Sequence, residues 1–318
     1  MLDASYRGFV AAQPHAGLWH EASFLTAICT GEPGAWAYAS SRAEDGSLRA
    51  VLPYRRKRRP DGWTVHLPPL VRYCGPLLAA STTAPRRVYL ELLRGLPSGY
   101  VSFDQTWPPP SEGTVPPGYG VALADRGFGV SLRTTHLAAL DGDESGLLAR
   151  LGSSCRYEVR RAKRRLEVRA VTPTPVFHDC LEASLRRRGV AVPYRRESVD
   201  AAWLLLAPRG RAVCHAAYAA TGDLVGASFA VADARTGYAM LSGARPEGRS
   251  LAAGTYVHYA DMVWAQRGGC TRFDFLGSDD PGIALNRRRL GGRPTPYPHL
   301  YRDAAAWTQA LRWWRGRR

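Results

Sequence analysis

The stretch from Gly237 to Leu300 constrains this chain most, because five pieces of structure follow one another there without room for much else. Tyr238 to Gly243 reads as a buried strand, and Arg245 to Ser250 as a turn carrying the backbone breakers Pro246 and Gly248. From Ala252 to Arg267 the positions Tyr256, Tyr259, Val263 and Trp264 recur at helical spacing. Thr271 to Leu276 reads as a second strand, and Asn286 to Gly292 as a cationic loop beside it. Strand, turn, helix and strand in that order predict two parallel strands bordering a cleft. The helix N-terminus that opens over it is a natural holder of phosphate.

At 318 residues the chain is long enough for two domains with cores of their own. No apolar run approaches the roughly 18 residues of a membrane span, and the N-terminus lacks the basic start and apolar core of a signal peptide. Cytoplasmic residence is the expectation. The six cysteines (Cys29, Cys74, Cys155, Cys180, Cys214 and Cys270) are scattered without a C-x-x-C pair, and the eight histidines without a ligand cluster. Buried free thiols and no metal are expected.

The formal charge of +16 points to an anionic partner, whether nucleic acid, a membrane surface or a phosphorylated substrate. Lys57 and Lys163 are the only lysines, so the charge is almost all arginine, whose planar fork suits phosphate. It is dense at Arg55–Arg59, Arg160–Arg165, Arg186–Arg188, Arg287–Arg289 and Arg312–Arg318. A solvated basic face explains such runs as well as an anion-binding surface does.

Along the first half, Ala35–Ala39 and Leu48–Arg55 read as a hairpin around Glu44-Asp-Gly-Ser47. Further strands are expected at Trp63–Leu67 and Tyr100–Phe103, a helix at Arg86–Leu96, and a Pro/Gly-rich loop from Trp107 to Gly120. Leu147, Leu148, Leu151, Cys155, Val159, Ala162 and Leu166 recur at helical spacing, predicting one amphipathic helix as the bridge into a second domain. A helix at Val176–Arg187 and an apolar helix end or strand at Ala201–Leu206 follow. Arg211–Ala220, Leu224–Ala232 and Gly237–Gly243 read as three consecutive strands. The fold class is α+β, with mixed, largely antiparallel sheets flanked by helices. The expected division is residues 1–140, then 141–302, with a terminal helix over 303–318 packing back on the first domain.

Three places give the chain a resemblance to a known family. Leu132-Arg-Thr-Thr-His-Leu137 leads into Arg156-Tyr-Glu-Val-Arg-Arg-Ala162; Gly268-Gly-Cys-Thr-Arg-Phe-Asp-Phe275 forms a G…fDF strand; and Asn286-Arg-Arg-Arg-Leu-Gly-Gly292 is similar to an F-K-x-x-F-G motif. In that order they resemble the double-domain GNAT acyltransferases, most of all the Fem-like peptidyltransferases and related bacterial GNAT proteins. Val51-Leu-Pro-Tyr54 and Tyr73-Cys-Gly-Pro76 are looser matches. The resemblance implies two tandem GNAT-like domains, the second catalytic, and transfer of an acyl or aminoacyl group from acyl-CoA or aminoacyl-tRNA to an amine. No tightly bound cofactor is implied.

In the family's lysine position stands Arg287, flanked by Asn286 and Leu290 where aromatics are usual. Arginine keeps the charge for an oxyanion or phosphate. Asp274, on the face opposite Phe273 and Phe275, is a candidate to take the amine's proton, and Tyr238 and Tyr256 are candidate acids. Ser242, Gly243, Arg245, Gly248, Arg249 and Ser250 form a near-match to a pyrophosphate loop. Arg156, Arg160, Tyr54, Tyr73, Phe275 and Asn286 are candidate substrate contacts. Arginine density favours tRNA, the loop favours CoA. Two other classes stand beside the enzyme: a silent GNAT-fold binder of RNA or another polyanion, and a membrane-surface protein held by Trp313-Trp314 and Arg312–Arg318.

Overall fold

The computed structural model describes residues 4–30, 36–60, 62–82, 85–109, 127–187, 189, 191–192, 194–277 and 280–303. Along the chain run α1 (Ala4–Ala11), α2 (Ala22–Ile28), β1 (Trp36–Arg42), β2 (Leu48–Arg59), β3 (Gly62–His66), β4 (Leu77–Leu78), α3 (Pro85–Arg94), β5 (Tyr100–Thr106) and β6 (Gly129–Ala139). Next come α4 (Glu144–Arg150), α5 (Ser153–Lys163), β7 (Leu166–Val171), α6 (Pro175–Arg187), α7 (Arg196–Leu206), β8 (Ala212–Ala219), β9 (Leu224–Ala232) and β10 (Thr236–Ala244). The last elements are α8 (Pro246–Ser250), α9 (Ala253–Arg267), β11 (Arg272–Asp274), α10 (Pro281–Arg289) and β12 (Arg293–Asp303). They gather into two compact units, Met1–Arg133 with Pro296–Arg318, and Thr134–Thr295. The expected terminal helix and most of the Trp107–Gly120 loop lie outside the described residues.

In the first unit the strands follow the order β1-β2-β3-β5-β12, with β4 beside β2. β3 and β5 pair in parallel and the other neighbours antiparallel. Its core gathers Leu52, Tyr54, Val65, Val88, Tyr89 and Phe103. On β2, Arg56 and Arg58 each lie 5.2 Å from the Trp63 ring centre, which gives part of that basic run a local platform.

In the second unit the order is β6-β11-β10-β9-β8-β7. β10 and β11 are parallel and the rest antiparallel. α9 lies along one face, where an added methyl on Gly237 would meet Ala265 Cβ at 2.6 Å. α6 presses on the other, where a methyl on Gly243 would meet Cys180 O at 2.3 Å and Leu181 O at 2.6 Å. Gly237 and Gly243 are an even number of residues apart yet face opposite ways, because β10 slips register between Ala239 and Leu241.

Two expectations are corrected here. The single bridging helix is helix, break, helix and strand: Asp143 caps α4 by accepting from Gly146 N at 2.8 Å, and the chain extends at Leu151 and Gly152. Gly152 N there donates to Arg289 O at 2.9 Å. The cationic loop is mostly the helix α10. Asp280 accepts from Gly282 N at 2.8 Å and Ile283 N at 3.0 Å, and Pro281 stands at the first helical position.

The close approach of α6 to β10 makes a prediction. Gly243→Ala should cost about 2 kcal/mol or more in urea unfolding through overpacking against backbone. Gly254→Ala, whose methyl would meet Ala244 Cβ only at 3.9 Å, should be tolerated.

Candidate active site

Three pairs hold β10 to β11: Thr236 with Arg272, Gly237 with Phe273, and Tyr238 with Asp274. Then β11 ends while β10 continues to Ala244. Asp274 Oδ1 accepts from Thr135 Oγ1 at 2.6 Å and from Leu276 N at 2.8 Å, and Thr135 Oγ1 accepts from Gly277 N at 3.0 Å. Leu276, at φ 56°, and Gly277, at φ 86°, turn the chain out of the sheet. A left-handed leucine is held only where its surroundings over-determine it, and these three hydrogen bonds do so. β10 bulges at the same point, and Met240, Leu241 and Ser242 are half-exposed on a central strand whose neighbour β9 is wholly buried. The strands part here.

Phe273 and Phe275 share the opposite face from Asp274, with ring centres 5.2 Å apart. The Arg287 guanidinium sits 4.9 Å from the Phe275 ring centre. Arg287 is half-buried as a residue, but its Nε and Nη1 are sealed from solvent and reached by no hydrogen bond. Burial pushes its pKa down to about 10, with Asp261 acting in the opposite direction. Desolvating an unpaired ion costs several kcal/mol, and a cation–π contact returns about 2. The ring alone therefore does not offset the burial, and the arginine is left short of a counter-charge.

α10 is fixed by its neighbours. Arg289 donates to Glu158 on α5 and, through Nε, to Ser154 Oγ at 3.1 Å. Glu158 Oε2 accepts from Thr255 Oγ1 at 3.3 Å, and Thr255 accepts from Asn286 Nδ2 at 3.5 Å. The first turn of α9 leaves the N–H groups of Ala253, Gly254 and Thr255 without intrahelical partners, and no side chain caps it. Arg161 Nη2 donates to Ser250 O at 2.8 Å, tying α5 to the loop before that turn.

Along α9, Thr255, His258 and Asp261 form a stripe at intervals of three, all buried. Asp261 Oδ1 accepts from His215 Nδ1 at 2.7 Å and Ser228 Oγ at 2.8 Å. Its Oδ2 has no hydrogen bond and lies 3.6 Å from His258 Nδ1. The His258 ring stands edge-on to Phe275 at 6.0 Å. Burial first, then the Arg287 charge, pushes the pKa of His258 down to about 4. Burial raises that of Asp261, but His215 and His258 outweigh it and its net shift is downward. His136, on β6, is lowered by burial and by Arg288 and Arg287.

Of the residues expected from sequence, the structure brings together Arg287 and Phe275, with Asn286 beside Arg287 on α10. It gives other expected residues different work. Asp274 anchors the outward turn. Tyr238 donates its hydroxyl to Asp233 Oδ2 at 2.7 Å, closing the β9–β10 turn. Tyr256 packs against the core beside Glu144, which with burial raises its pKa. Gly243 and Gly248 are small because backbone lies against them; a methyl on Gly248 would meet Val225 O at 2.2 Å. Arg245 heads the short helix α8, and Arg249 and Ser250 are exposed on it, Ser250 Oγ donating to Glu247 O at 3.1 Å. Arg156 Nη1 caps α4 through Ala149 O at 2.8 Å, and Arg160 is exposed on α5. Tyr54 and Tyr73 are core residues of the first unit, 4% and 1% exposed.

The quartet His215, Ser228, His258 and Asp261 was missed. Its signal was present: single polar residues inside otherwise apolar strands, and a three-residue polar stripe on an apolar helix. Among the described residues, no group of three or more His, Cys, Asp or Glu is placed to hold a metal, and no helix is long and apolar enough to cross a membrane. All six cysteines are buried and unpaired.

Thr135→Val should cost about 1–3 kcal/mol in urea unfolding, because it leaves both Asp274 and Gly277 N short of a partner. It should also raise amide exchange at Leu276 and Gly277 ahead of the sheet.

The Acetyltransferase (GNAT) domain family matches residues 153–281. No curated protein matches the sequence. Among solved structures, FemX is similar with a TM-score of 0.68 at 13% identity, over 94% of this chain and 96% of that one. A tandem GNAT protein from the clavulanic acid biosynthesis pathway gives 0.58 at 16%, over 95% and 93%. The C-terminal domain of a putative lysylphosphatidylglycerol synthetase from Agrobacterium fabrum gives 0.55 at 11%, over 96% and 92%. At such identities these likenesses are of fold. Residues 153–281 thus match the GNAT domain family across the parted strands, and the whole chain is similar in fold to double-domain GNAT proteins.

Proposed function

We propose that the protein is an N-acyltransferase that forms an amide bond, moving an activated acyl or aminoacyl group from acyl-CoA or aminoacyl-tRNA to an amine on a small molecule or peptide. The observation that carries this reading is the parting of β10 and β11 after Tyr238 and Asp274, with the Arg287 guanidinium over Phe275 at that point. The exposed backbone of Met240 to Ser242 offers a donor's acyl arm strand-like hydrogen bonds. The N–H groups at the start of α9, which no side chain caps, suit the donor's phosphates. Arg287 faces the carbonyl oxygen as it becomes negative, in surroundings where a fixed charge acts strongly.

Both donors keep support. The α5 surface carries Arg160, Lys163, Arg164 and Arg165 exposed, with Tyr157 62% exposed beside Arg161, a basic and aromatic face that suits RNA. The uncapped α9 turn suits a diphosphate.

Thermal unfolding of the purified protein with acetyl-CoA and, separately, with charged tRNA tests the donor: the true one raises the midpoint. A rise with tRNA unaccompanied by transfer would instead support a polyanion-binding protein without catalysis. Arg287→Ala should lower turnover at least about 100-fold while leaving the unfolding midpoint of the unliganded protein at or above its original value. An unchanged rate removes Arg287 from the chemistry.

A further inference from the structure

A buried carboxylate facing an unprotonated imidazole, with a poorly compensated guanidinium against the same phenylalanine ring as that imidazole, is an expensive arrangement to keep in a core. Asp261 is fully buried, and Oδ1 is satisfied twice while Oδ2 is left to face His258 Nδ1 at 3.6 Å. His258 and Arg287 both border Phe275, the residue at which β11 leaves β10. Asp261 and Arg287 form no ion pair, although the Asp261 charge acts on Arg287.

Resting on the acyltransfer reading above, we propose that His258, oriented by Asp261, is the proton acceptor for the attacking amine, and that Arg287 couples its basicity to the charge on the acyl oxygen. With Nδ1 toward the carboxylate, the proton resides on Nδ1 and the lone pair on Nε2. The acceptor nitrogen bonds to the carbonyl carbon, the carbonyl π pair moves onto oxygen beside Arg287, and the nitrogen's proton passes to Nε2. The tetrahedral centre then collapses, the carbon–sulfur or carbon–oxygen ester bond breaks, and the leaving thiolate or alkoxide takes the proton from the imidazolium. The products are an amide and a thiol or hydroxyl, with His258 neutral again.

The sign of the coupling follows from the groups around the ring. Arg287 on α10 opposes a charge on His258, and Asp261 on its own helix favours one. His215 on β8 reaches it through Asp261, and His136 on β6 shares the field of Arg287. In the resting protein burial, with the arginine's repulsion added to it, outweighs the carboxylate and the base is free. When negative charge grows at Arg287 that repulsion is neutralised and His258 becomes a better base, at the step that needs one. His136 lies in the same field, but the carboxylate 3.6 Å away gives His258 both a preferred tautomer and a counter-charge.

Two measurements on the full-length protein test this. In ¹⁵N-labelled protein, with His258 assigned by its loss in His258→Gln, long-range imidazole spectra should show the Nδ1–H tautomer at neutral pH. They should also show a pKa well below the ordinary histidine value. Sulfate as an oxyanion probe, or Arg287→Gln, should raise that pKa, and Asp261→Asn should redistribute the tautomer. An Nε2–H tautomer, or no response to either perturbation, overturns the proposal. In turnover with whichever donor stabilises the protein, His258→Gln should lower kcat about 100-fold with donor stabilisation unchanged, and imidazole should partly rescue His258→Gly. Full activity in His258→Gln overturns it. If neither donor yields transfer, the functional reading and this chemistry fall together, while the spectra still decide whether Arg287 governs His258.

Discussion

The site depends on where one parallel ladder stops. Asp274 is taken by Thr135 and by Leu276 N, so its strand cannot continue beside β10. A left-handed leucine and a glycine then carry the chain away. Had the ladder run on, the backbone of Met240 to Ser242 would be satisfied within the sheet and hold nothing else. The same carboxylate that looks like a base in sequence is what turns its strand away from β10.

Charge in this molecule divides into two kinds. Much of the arginine is spent internally: Arg196 and Arg186 on Glu182, Arg289 on Glu158, Arg161 on a backbone carbonyl. These contacts fix helices, and the half-exposed ones contribute little each. Arg287 and Asp261 are of the other kind. They are held in the interior without touching, so the field between them is available to act on whatever lies there.

The alternation of strands and helices was legible because it rests on local periodicity, and the three strands β8, β9 and β10 emerge within a residue or two of their expected ends. The break at Leu151–Gly152 was not legible, since apolar spacing runs through it and the reason for it is Arg289, far along the chain. The helical nature of residues 286–289 was hidden by their charge, although Asp280-Pro281 was a readable start signal. Arg287 and Phe275 could be singled out by resemblance. His258 and Asp261 could not, because a polar residue's meaning comes from what packs against it, and their partners stand on strands β8 and β9.

The contact of α6 with Gly243 has a wider consequence. Main-chain carbonyls of Cys180 and Leu181 lie where any side chain at that position would have to go. The wall behind β10 is therefore incompressible, whereas the opposite border is made of side chains on α10 and of the turn after Asp274. Larger side chains could be fitted on that border, at Asn286 or around Leu276, but not at the glycine. The fold separates a fixed rail from an adjustable margin.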